Sequence, residues 1–180
     1  SYAGQVLRAR GEGLYTERQL AQAGAELIGE VVPESDAEII CMAIEGLRTL
    51  GITEVSVDFS LPQLSMVLLE GLDMAEEDRA RLLLAVEKKD GKTVKAIAGK
   101  WADVWVALLD AAGDMDTAVT TLQQLSLPET ASDAIANVMA IADRVRQRTP
   151  DVRLTMDPLE RRGFEYHTGV SFSLFSPLSK

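Results

Sequence analysis

The chain moves between two hydrophobic periods, and the switches between them outline its elements. Residues 2–10, YAGQVLRAR, and 17–30, ERQLAQAGAELIGE, read as extended segments. The joining GEGLYT carries two glycines that permit a tight turn, so two antiparallel strands are predicted. From Ser35 the period becomes helical, with Ile40, Ala43, Ile44 and Leu47 on one stripe. Ser35 is placed as N-cap, Glu38 three residues on completes a capping box, and Gly51 ends the helix. TEVSVDFS at 53–60 alternates and is β-branched, which predicts a strand. From Pro62 to Arg148 strand signals vanish, and helices are predicted near 62–71, 76–88, 91–99, 101–112, 115–125 and 131–148. Pro128 interrupts this region and Pro150 closes it before a short strand in DVRLTMDP.

The final alternating run, 166–175, sorts cleanly into two faces because successive strand side chains point to opposite sides. Tyr166, Thr168, Val170, Phe172 and Leu174 form an apolar core face, while His167, Gly169, Ser171, Ser173 and Phe175 form an open, mostly small and polar one. In 18–28, Arg18, Leu20, Gln22, Gly24, Glu26 and Ile28 share one face. Gln19, Ala21, Ala23, Ala25 and Leu27 share the other, which is expected to pack. Gly24, between Gln22 and Glu26, is expected to leave space for a ligand to approach the strand; a polar solvent face with a glycine bulge would show the same pattern.

At 180 residues, one domain with a single core is expected. The chain is 47% hydrophobic with few aromatics, which favours helix over an all-β fold. A net charge of −10 disfavours general attraction to a phosphate backbone, so no nucleic-acid partner is expected. The one cysteine, Cys41, lies in an apolar helical stretch and reads as core. It can form no intrachain disulfide, and a cytoplasmic setting is the natural expectation. No apolar run approaches the roughly 20 residues of a membrane span, and the polar N-terminus does not read as a signal peptide. One histidine and one cysteine cannot supply a usual zinc set, RGEGLYT lacks the lysine and serine of a P-loop, and no metal or cofactor is expected.

Two separated segments carry a family resemblance. GQVLRARGEGLYTERQLAQAGAELIGE resembles the second signature motif of histidyl-tRNA synthetases, with Arg8 matching its arginine and Gln22, Gly24 and Glu26 its Gln-x-Gly-x-Glu strand. DPLERRGFEYHTGVSF is similar to that family's histidine-specific motif, Arg-Gly-Leu-Asp-Tyr-Tyr-Thr-Gly, through Arg162, Gly163, Tyr166, Thr168 and Gly169. DAEIICMAIEGLRTLG resembles the helix between them, so the similarity spans most of the chain. It implies an α+β fold: the antiparallel sheet of a class II aminoacyl-tRNA synthetase core, in one domain over 1–180, with a helical insertion at about 62–148. It implies also a histidine pocket, with Glu26 and His167 near the imidazole, Gln22 and Tyr166 holding the amino acid, and Arg162 near its carboxylate. These residue types suit that ligand. An imidazole needs an acceptor for one N–H and a polar partner for its other nitrogen, and an arginine grips a carboxylate bidentately.

Departures from the synthetase pattern point to a branch of the family. Arg10 stands where the motif has Glu, Glu165 stands for Asp, and His167 for the second Tyr. Arg8 and Arg10 are candidate contacts for a nucleotide or other anion. No anticodon-binding domain is seen between Ser1 and Lys180, and neither is a helix-plus-Pro first motif or a third Gly-Arg signature, the last two as expected of a fragment. The sequence resembles most the family's branch of regulatory subunits of ATP phosphoribosyltransferase. That resemblance implies no catalysis, allosteric control by L-histidine, and a hetero-oligomer, containing a homodimer of this chain, with the short-form catalytic subunit. Two alternatives remain: an active histidyl-tRNA synthetase core, and a helical interaction module anchored by Trp101 and Trp105, four residues apart on one helix stripe.

Overall fold

The computed structural model describes residues 1–8, 18–160 and 169–177. Strands β1 (Tyr2–Leu7) and β2 (Gln19–Gly24) form an antiparallel pair. Helix α1 (Pro33–Thr49) leads to strand β3 (Ser56–Ser60). Helices α2 (Leu64–Glu70), α3 (Glu76–Glu87) and α4 (Gly91–Ile97) follow. A 3-10 turn over Gly99–Trp101 opens α5 (Ala102–Asp110). The two-residue strand β4 (Gly113–Asp114), helices α6 (Met115–Gln123) and α7 (Glu129–Arg148), and strands β5 (Arg153–Asp157) and β6 (Ser171–Phe175) complete the order.

The six helical segments expected between 62 and 148 are therefore present, and only β4 departs from that run. Two residues are too few to show a period, so pairing with β5 had no sequence signal.

Helix α1 starts earlier than its serine suggests. Val32, in extended conformation, is the N-cap and Pro33 the first helical residue; proline suits that position because its fixed φ is helical and its missing N–H has no partner to lose. The expected capping box does not form: no side chain caps the helix, and the Ser35 hydroxyl donates instead to the Glu30 carbonyl at 3.1 Å. The C-terminus follows the glycine signal. Gly51 adopts φ +86, its N–H donates to Arg48 O, and Ile52 N–H donates to Leu47 O, which closes a Schellman motif.

The second sheet runs β4-β5-β3-β6. β3 pairs antiparallel with β6 but parallel with β5. This pair departs from the uniformly antiparallel sheet expected, because the helices between β3 and β5 return the chain to the end of the sheet where β3 began. Among the described residues the β1–β2 hairpin forms a sheet of its own, not hydrogen-bonded to this one. Val57, Phe59, Leu154 and Met156 of the four-stranded sheet join Ile40 and Ile44 of α1 and Val138, Ile141 and Val145 of α7 in one buried cluster. Cys41 is buried there, and burial pushes its thiol pKa up, as befits a core residue.

Candidate functional site

The hairpin register sets which side chains share a face. Tyr2 pairs with Gly24, Gly4 with Gln22, and Val6 with Leu20, so these six lie together. At the loop end the Arg8 N–H donates to Arg18 O at 2.7 Å, and Arg18 Nε donates to Arg8 O at 3.1 Å. Two exposed guanidinium groups thus begin and end the described edges of the loop. Midway along the face, Gln22 Nε2 donates to Tyr2 Oη at 2.7 Å.

The space expected above Gly24 is filled. A Cβ there would lie 2.6 Å from both Cζ and Oη of Tyr2, so the glycine makes room for the phenol ring rather than for a ligand. The open position is Gly4, where an added Cβ would meet nothing within 4 Å, directly across from Gln22. Tyr2 was not singled out from sequence; finding it needed the register across the hairpin, which the loop glycines leave open. The alanine face does not pack as expected either. Ala21 and Ala23 are exposed and, with Ala3, Gly4, Gln5 and Gln22, line a shallow groove of about 460 Å³. No apolar layer covers them among the described residues.

Glu26 lies two residues beyond the end of β2 and is exposed. Of the residues assigned to a histidine pocket, Gln22 and Glu26 are described, and Gln22 is the one held by a side-chain partner. Arg162, Tyr166 and His167 lie outside the described residues, as does Arg10. The strand that follows that motif behaves as its alternation demands. Val170, Phe172 and Leu174 pack against the core, while Ser171 and Ser173 sit half-buried on the opposite face and Phe175 is exposed.

That opposite face of the four-stranded sheet is a second polar surface. Asp58 stands between Thr155 and Ser173, and Ser60 between Asp157 and Ser171. The Thr155 hydroxyl donates to Asp58 Oδ1 at 2.5 Å. Lys89 Nζ donates to Asp157 Oδ2 at 2.5 Å, and the Leu159 N–H donates to the other oxygen, Oδ1, at 3.3 Å. No group of three or more His, Cys, Asp or Glu among the described residues could hold a metal ion.

Trp105 is fully buried and Trp101 packs partly buried against the core; both indole N–H groups are enclosed without a hydrogen-bond partner. The two tryptophans are packing residues, which removes the exposed anchor that an interaction module on this stripe would need. Among the described residues, no helix is long and apolar enough to cross a membrane.

Across residues 1–180 the chain matches the family model described as histidyl-tRNA synthetase, and it belongs to that family. Within it, the chain is 44% identical over 179 residues to an ATP phosphoribosyltransferase regulatory subunit of Paramagnetospirillum magneticum, covering 98% of this chain and 46% of that one. It is 38% identical over 180 residues to the protein of the same name from Gluconobacter oxydans, covering 100% and 47%. The chain thus spans about half the length of the curated relatives it matches. A solved structure described as an ATP phosphoribosyltransferase regulatory subunit/histidyl-tRNA synthetase from Bacillus halodurans superimposes with a TM-score of 0.77 at 20% identity, over 97% of this chain and 47% of that one. The fold is accordingly the α+β, class II histidyl-tRNA synthetase-like fold that the motifs implied, and the resemblance to regulatory subunits holds in sequence.

Proposed function

We propose that this chain is the synthetase-like core of a non-catalytic regulatory subunit of ATP phosphoribosyltransferase, binding L-histidine and conveying feedback to a short-form catalytic subunit in a hetero-oligomer. The observation that carries the reading is similarity over the whole chain to regulatory subunits at 38% and 44% identity. The hairpin supports it physically. Gln22 is fixed by Tyr2, open space at Gly4 lies beside it, and Glu26 offers an acceptor on the same run. In this reading Glu26 and His167 face the imidazole, Gln22 and Tyr166 the amino acid, and Arg162 its carboxylate; Arg8 and Arg10 are anion contacts. Residues 1–180 then form one domain, the helices at about 62–148 being its insertion. Histidine acts by binding one state of the assembly more tightly than another, which is all that a regulator needs.

The test uses the full-length protein. It should bind L-histidine in calorimetric titration, co-purify with a short-form catalytic subunit and make that subunit's activity histidine-sensitive. It should show no histidine-dependent pyrophosphate exchange with ATP. Exchange together with tRNA charging would establish the synthetase instead.

A further inference from the structure

The corner between α3 and α4 breaks a conformational preference. Helix α3 ends in a Schellman motif: Lys89 N–H donates to Val86 O at 2.9 Å and Asp90 N–H to Ala85 O at 2.8 Å. The residue between those bonds must be left-handed, a position that favours glycine. Here it is Lys89, at φ +55, the one non-glycine residue with positive φ among the described residues. Immediately after it Asp90 caps α4, accepting from Thr93 N–H and from the Thr93 hydroxyl. The corner is therefore fixed on both sides, and the side chain of Lys89 is aimed by its backbone.

It is aimed at Asp157, 68 residues away at the end of β5. The Asp157 side chain is only 16% exposed, and its two oxygens are divided between Lys89 Nζ and the Leu159 N–H. Its carbonyl accepts from Glu160 N–H at 3.2 Å. Asp157 thus shapes the turn by which the chain leaves the sheet, five residues before Arg162. A strained conformation persists where the surroundings over-determine it, and here it delivers a cation to that turn.

We propose that Lys89 and Asp157 are positioning residues which couple the helices between β3 and β5 to histidine occupancy. The proposal rests on the histidine-binding reading above. The bonds over Asp157–Glu160 fix the point at which the chain leaves β5. Loss of the ammonium group frees the turn and lowers affinity, even though glycine at position 89 suits the backbone better than lysine does.

Full-length Lys89→Gly, Lys89→Arg and Asp157→Asn proteins, titrated with L-histidine and melted thermally, test this. Asn at 157 keeps an oxygen for Leu159 N–H while removing the charge and the acceptor that faces Lys89. Lys89→Gly and Asp157→Asn should each bind histidine on the order of tenfold more weakly, within the range of couplings between linked sites, and the double variant no more weakly than either. Lys89→Arg should restore most of the affinity. The Tm of Lys89→Gly should stay within about 2 °C of the unsubstituted protein, a shift of about 1 kcal/mol. Unchanged affinity in Lys89→Gly, or affinity lost equally in Lys89→Arg, overturns the coupling while leaving histidine binding intact. No binding by the unsubstituted protein removes the histidine reading, and the coupling with it.

Discussion

Gly24 offers a test of the hairpin face that does not depend on any ligand. Its φ is not left-handed, so alanine is compatible with the backbone. The obstacle is the Tyr2 ring, 2.6 Å from the new Cβ. That ring is the far end of a side chain 48% exposed, so it will swing aside rather than distort the strand. Doing so breaks the bond from Gln22 Nε2, a loss of about 0.5–1.5 kcal/mol. Against it stands the reduced freedom of the unfolded chain, about 0.4–1 kcal/mol in favour of alanine. Gly24→Ala should therefore be close to neutral in the native sequence. In a Tyr2→Ala background the ring and its bond are already gone, and the same substitution should stabilise by about 0.4–1 kcal/mol. The coupling, about 1 kcal/mol, is then the lost hydrogen bond itself. Amide hydrogen exchange across β1 and β2 in all four proteins reads the local opening free energy that this cycle needs. A coupling no larger than about 0.3–0.5 kcal/mol, the scatter of independent sites, would mean that Tyr2 does not lie over Gly24.

In the full-length protein Glu26→Ala should weaken L-histidine binding by about 1–3 kcal/mol, the cost of leaving a hydrogen-bonding group unpaired. Trp105→Ala should leave that affinity nearly unchanged while lowering stability by about 3–5 kcal/mol through the cavity it opens; calorimetric titration and urea unfolding separate the two effects. Hydrogen bonding from Arg144 holds the Glu34 carboxyl below its ordinary value, and hydrogen bonding from Arg48 does the same for Asp151. A depressed carboxylate contributes stability above its unfolded pKa and loses it as pH falls through the folded one. Tm should thus decline as pH drops below about 4.5, and Arg144→Met should flatten part of that decline.

Sequence periodicity revealed faces and helices well because each is a local matter. The stripe Ile40, Ile44 and Leu47 fixes how α1 lies whatever it meets, and alternation alone assigns Val170, Phe172 and Leu174 to the core. Partners are a different matter. The pattern of TEVSVDFS says that Val57 and Phe59 point one way, but it is silent on whether β5 runs alongside in the same or the opposite direction. The helix start was misplaced for a related reason: Ser35 and Glu38 satisfy a local rule, yet Pro33 satisfies another two residues earlier, and the Ser35 hydroxyl finds Glu30. At the site, Gln22 was legible through a motif, whereas Tyr2 was not, since only the register brings a residue from the other strand over Gly24.

The parallel pairing of β3 with β5 has a consequence for synthesis. Thr155 lies 97 residues beyond Asp58, its partner in the register. At ordinary elongation rates of about 5–20 residues per second, β3 waits roughly 5–20 s on the ribosome before the strand that will lie beside it has been made. β6, which takes its other edge, emerges later still. Throughout that interval Val57 and Phe59 sit on a strand with two open edges, able to recruit any extended segment nearby. Of the six helices made in the meantime only α3 and α7 reach the roughly 12 residues at which local contacts can hold a helix in water, so the shorter ones wait with β3 for the sheet to close. Substitutions that slow those helices should therefore appear first as lower yield of folded protein rather than as lower stability of what folds.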